Sequence, residues 1–182
     1  SNEPALPTEV SDDTSVDVTA ATLRVGELEG IGTLNANSAT GVGCCSINSA
    51  YIAGLAYDSH TKDIRPATPV PQAIAGKQTI STHWVDVQEN GVLRTRNTNQ
   101  YWLAAKYGGF KVPDTYGDPY TGTVPIPESA WWTSGDIQTN LDKRPDNFYI
   151  ASDATKMVES LKKAFANIAN EVQSTTASLA TN

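Results

Sequence analysis

Five aspartates, Asp114, Asp118, Asp136, Asp142 and Asp146, share one proline- and glycine-rich stretch. Carboxylate oxygens are what a hard cation such as calcium takes, and Gly117 and Gly135 allow tight turns that could gather them. Their spacing departs from an Asp-x-Asp-x-Asp-Gly loop, so a calcium site and a set of solvated carboxylates both stay open. The same stretch holds Trp131-Trp132, with Tyr116 and Tyr120 nearby. Adjacent aromatics there either cover a core or form a binding platform for a sugar or a protein.

Catalytic chemistry finds less support. His60 and His83 have no nucleophile at a useful spacing, and His83 in a strand reads as a packed or hydrogen-bonded residue. Asp86 and Glu89 lie in or beside that strand, where alternation argues against a carboxylate dyad. Neither a Gly-x-Ser-x-Gly elbow nor a P-loop or dinucleotide fingerprint occurs. The expectation is a protein that is not an enzyme. Cys44 and Cys45 are adjacent: two small apolar thiols, or partners for cysteines elsewhere, with too few companions for zinc.

The elements that position these residues follow from pattern. The chain has 182 residues, enough for one domain with a sizeable core. Residues 1–20 and 174–182 are polar, without apolar period, and read as a disordered segment and a linker to a further domain. Residues 21–34 alternate briefly at Leu23, Val25 and Leu28 but carry three glycines, which predicts a short strand or irregular segment. Ser46 is placed to cap a helix running to Thr61, apolar on both sides, where Gly54 implies close approach of another backbone. Residues 79–87 form a β-branched strand fit for a covered position, and Asn97 or Thr98 is expected to cap a helix through Tyr107 that Gly108-Gly109 ends. Residues 111–145 form a long irregular insertion with five of the ten prolines. A strand at Phe148–Ala151 follows, then a helix capped by Ser152 or Asp153, in which Met157, Val158, Leu161, Ala164, Phe165, Ile168 and Val172 keep a helical period. Helix, strand, helix, strand, helix is an α/β order, yet two strands cannot make a whole doubly wound sheet.

A net charge of −7 and the lack of a basic cluster argue against nucleic acid, and no run approaches the length of a membrane span.

Three segments in this order, Gly54-Leu-Ala-Tyr-Asp-Ser-His-Thr-Lys-Asp-Ile-Arg-Pro66, Leu103-Ala-Ala-Lys-Tyr-Gly-Gly-Phe110 and Pro145-Asp-Asn-Phe-Tyr-Ile-Ala-Ser152, resemble the PilY/PilC-type proteins at the tips of bacterial type IV pili. The match spans roughly residues 50–170 and falls on the second half of their von Willebrand factor A-like domain, ahead of a β-propeller. The resemblance implies a partial or elaborated A-like (Rossmann-like) three-layer α/β sandwich over residues 21–173. It also implies a role in pilus biogenesis and surface adhesion, and a location on the surface, pilus tip or outer membrane of a Gram-negative bacterium. Minor pilins, the pilus tip and host or abiotic surfaces would be the partners, and calcium a recurrent ligand. The adhesion-site motif of A-type domains, Asp-x-Ser-x-Ser, has only a poor counterpart in Asp13-x-Ser15-x-Asp17. A calcium-stabilised spacer and a carbohydrate-binding module using 111–145 are the alternative readings.

Overall fold

A computed structural model describes residues 8, 12, 14–31, 34, 49–65, 76–88, 93–112, 116 and 126–180. Asp13, Cys44, Cys45, Asp114, Asp118 and Tyr120 lie outside these residues.

The first element is helix α1, Val18–Glu29, where a strand or irregular segment was expected. Alternation at Leu23 and Val25 misled, because the residues that become buried are Ala21, Thr22, Val25 and Gly26, a helical spacing. Asp17 starts the helix by accepting from the Ala20 amide at 2.9 Å, inside the tail expected to be disordered. Gly30 ends it at φ 70°, with its own amide and that of Ile31 closing onto the Glu27 and Gly26 carbonyls.

Helix α2, Tyr51–Thr61, begins after Ala50, with no side-chain cap; Ser46, the expected cap, lies outside the described residues. A Cβ on Gly54 would lie 2.2 Å from Thr22 Oγ1 and 2.7 Å from the Thr22 amide nitrogen, so the expected close approach is α1 crossing α2. Helix α3, Gln100–Tyr107, follows a short 3₁₀ turn at Arg96–Thr98. Asn99 caps it, not Asn97 or Thr98, accepting from the Tyr101 and Trp102 amides.

Strand β1 is only Trp84–Asp86 and pairs in parallel with β2, Phe148–Ile150, in the register Trp84↔Phe148, Val85↔Tyr149, Asp86↔Ile150. The residues before β1 spend their ladder groups on helix ends. The Ile80 amide donates to Ser59 and Thr82 to Gly108, whereas Trp84, the first residue of β1, donates to Asn147 just before β2. This shortens the expected nine-residue strand to three.

Helix α4, Ala154–Ala180, is capped by Asp153, whose side chain accepts from the Lys156 amide at 2.9 Å. It continues into the stretch expected to be linker. The described architecture is thus four helices around a small parallel sheet, α3 on the Trp84/Phe148 face and α4 on the other. Trp84 stacks on Tyr101 of α3 with ring centroids 3.8 Å apart.

The core lies between α1, α2, α3 and the first face of the sheet, built on Val25, Tyr57, Trp102, Tyr107, Phe110 and Phe148. A charged pair, Glu29 and Lys106, is buried beside it. The Glu29 side chain, 1% exposed, accepts from Lys106 Nζ at 2.5 Å, and its carboxylate also takes the Tyr107 hydroxyl and the Arg96 guanidinium. Burial lowers the Lys106 pKa, and Glu29 opposes that shift; burial raises Tyr107, reinforced by Glu29. The carboxylate therefore ties the end of α1 to α3.

Candidate functional site

The excursion that ends the expected insertion is anchored at its base and bare at its tip. A 3₁₀ turn at Glu128–Ala130 leads into Trp131, whose indole enters the core at 6% exposure, edge-on to Trp102 at 5.8 Å and beneath Lys106 Nζ at 4.0 Å. Trp132 is half-buried: its indole N–H donates to the Asp136 carbonyl, and Lys143 Nζ lies 4.5 Å from the ring centre. Tyr116 packs edge-on against Phe110, its hydroxyl 2.5 Å from that of Tyr57. Burial raises the pKa of both phenols, so that pair is neutral at physiological pH. These three aromatics therefore hold the excursion to the core.

The carboxylates of the excursion bond to different partners. Asp146 accepts from the Thr133 and Ser134 amides and from Thr133 Oγ1. Asp136 receives the Arg144 guanidinium through two nitrogens, at 2.5 and 3.2 Å. Asp142 accepts from the Arg96 amide at 2.8 Å and from Asn140 at 3.1 Å. Among the described residues, no three ligating side chains converge on one point.

Those bonds brace a hairpin. Ile137 and Lys143 form an antiparallel bridge, the Gln138 amide donates to Asp142, and Leu141 donates back to Gln138. The tip is Leu141, 83% exposed and at φ 69°, with Ile137 exposed beside it. A positive φ on a non-glycine residue is uncommon in loops and is held here by the surrounding bonds. Sequence reasoning missed this pair. The available signal was two branched apolar residues in an otherwise polar run, Asp136-Ile-Gln-Thr-Asn-Leu-Asp142.

Behind the hairpin, at the carboxyl ends of both strands, lies a groove of about 440 Å³ lined by Gln88, Gln138, Arg144, Ser152, Lys156 and Lys163. The Gln138 side chain is buried, and neither its amide oxygen nor its nitrogen has a hydrogen-bond partner.

The two histidines are structural ties. His60 is buried with Nδ1 3.0 Å from the Ile80 carbonyl and Nε2 2.5 Å from that of Phe110. His83 stacks on Tyr149 with ring centroids 6.1 Å apart, and burial lowers its pKa.

No family model and no solved structure matches the chain. A curated relative does: the type IV pilus biogenesis factor PilY1 homolog of Xylella fastidiosa (strain Temecula1 / ATCC 700964) is 45% identical over 194 residues, covering 99% of the chain. The resemblance to PilY1-type factors holds. This PilY1-like segment spans 15% of that relative's length. The match reaches well beyond the roughly 50–170 stretch that carried the resemblance. No helix among the described residues is long and apolar enough to cross a membrane.

Proposed function

We propose that this PilY1-like segment is a non-catalytic docking module of a type IV pilus biogenesis factor, acting at the cell surface or pilus tip. Its contact point is the hairpin tip, Ile137 and Leu141, offered to a pilin or to the surface that the pilus meets. The observation that carries the pilus assignment is the 45% identity, across nearly the whole chain, to a protein named a pilus biogenesis factor. Support for the contact point is local: an exposed apolar pair on a loop that Asp136, Asp142 and Asp146 hold rigid. The small parallel sheet with helices on both faces is compatible with a larger A-type three-layer sandwich, and we take the segment as one part of such a domain.

The test is Ile137→Ser with Leu141→Ser in the chromosomal gene of a piliated strain that encodes this chain. Surface pili counted by electron microscopy and cells retained on glass are expected to fall several-fold, with the amount of protein unchanged. Wild-type piliation and retention would reject the assignment of the tip.

A further inference from the structure

Neighbouring side chains of the hairpin face opposite ways. Ile137 is exposed, and Gln138, the next residue, is turned inward and only 4% exposed. The hairpin uses both backbone groups of Gln138: its amide donates to the Asp142 carbonyl, and its carbonyl accepts from the Leu141 amide. The side chain is thereby held in the wall of the groove behind the hairpin, about 440 Å³ and within the range of small-ligand pockets. There its carboxamide is buried with both oxygen and nitrogen unpartnered. Buried polar groups rarely stay so, and this one holds a donor and an acceptor side by side.

Helix α4 lines the same groove. Lys156 and Lys163 stand seven residues apart on it, about two turns along one face. Among the described residues neither lysine makes an ion pair. Arg144 is already spent, bonding Asp136 and the carbonyls of Pro145 and Phe148. Glu159 lies between the two lysines and also lines the groove. Two cations flanking one anion favour a single negative charge and oppose a dense polyanion. Ile137 supplies an apolar contact to the same groove.

We propose that this groove binds a polypeptide segment bearing one carboxylate side chain beside an apolar one. The carboxylate sits between Lys156 and Lys163, and Ile137 meets the apolar side chain. The Gln138 carboxamide pairs with the N–H and C=O of one extended residue, which point the same way and supply the two missing partners. The proposal rests on reading the hairpin as a docking surface and deepens it by naming the chemistry of the partner.

Nuclear magnetic resonance titration of the purified, isotope-labelled chain in EDTA tests it without any pilus, so a failed groove and a failed pilus assignment give different results. The probe is the blocked peptide Ac-Leu-Ala-Glu-Ala-NH2. At millimolar concentration it is expected to move the Gln138 side-chain amide signals and the Lys156 and Lys163 backbone amides along one saturable curve. The analogue Ac-Leu-Ala-Gln-Ala-NH2 should bind on the order of tenfold more weakly, as should a chain with Lys156→Gln and Lys163→Gln. Gln138→Leu should weaken binding to a similar degree while melting no lower than wild type. Signals unmoved by the Glu peptide overturn the proposal, as does equal binding of the Gln analogue. Shifts that require calcium would put a cation between carboxylate and groove, and tighter binding of galacturonate would make an acidic sugar the occupant. Either result also overturns it.

Discussion

At the scale of single residues, three positions make distinct demands. Gly54 has no room for a methyl group against Thr22, so Gly54→Ala should cost roughly 1–3 kcal/mol, read as a lower urea midpoint with unchanged slope. Gln138 is buried without a partner, so Gln138→Leu should leave the chain at least as stable as wild type, provided the groove holds no ligand. His83 carries the pH dependence. Its folded pKa lies below the ordinary value, so between the two the unfolded chain binds more protons and stability rises with pH. The full contribution is present above about 6.5 and is lost as pH falls from there toward the folded value. A His83→Phe chain should flatten that limb of the melting curve while keeping the stack on Tyr149. Of these three, Gly54 was legible in the sequence, since a glycine inside a helix pattern announces a close neighbour, and His83 was legible as a packed or hydrogen-bonded residue. The orphan amide and the His83 surroundings depend on contacts between residues far apart in the chain.

At the scale of elements, hydrophobic period located α2, α3 and α4 and capping chemistry placed the start of α4, whereas α1 was hidden by Gly26, Gly30 and Gly32, of which Gly30 closes its end. The second strand was found with one residue too many and the first with six, because amides that a strand pattern assigns to a ladder go to the ends of α2 and α3. No local signal carries that information. Burial of Glu29 was equally hidden, since its partners Lys106 and Tyr107 are 77 and 78 residues away. This carboxylate sets how α1 sits on α3. Glu29→Ala strands the Lys106 ammonium in an aromatic pocket and is expected to cost about 3–5 kcal/mol. Replacing both partners, Glu29→Leu with Lys106→Met, should recover most of that loss in the same denaturant titration, because two apolar side chains have no charge to strand. Asp153→Ala removes the cap of α4 and should cost about 1 kcal/mol.

At the scale of the whole molecule, the likeness to PilY1-type proteins was legible in three short segments, and the comparison with the Xylella protein extends it to nearly the full chain. The proposed contact point was not legible in the same way. Trp131-Trp132 stood out by residue type, but the fold sends Trp131 into the core and leaves Leu141 at the tip. Calcium gives a global check on the carboxylates. Because Asp136, Asp142 and Asp146 already accept bonds from different donors, exchanging EDTA for millimolar calcium should leave the melting temperature within about 1 °C; a rise would mean an ion binds the native state. The contact of Lys106 with Trp131 has an optical consequence. A cation over an indole that is itself edge-on to Trp102 fixes the environment of two of the chain's four tryptophans, and Glu29 holds that cation from α1. Release of α1 would free the ammonium and change the emission of both rings, so intrinsic fluorescence reports the seating of the first helix without an added dye.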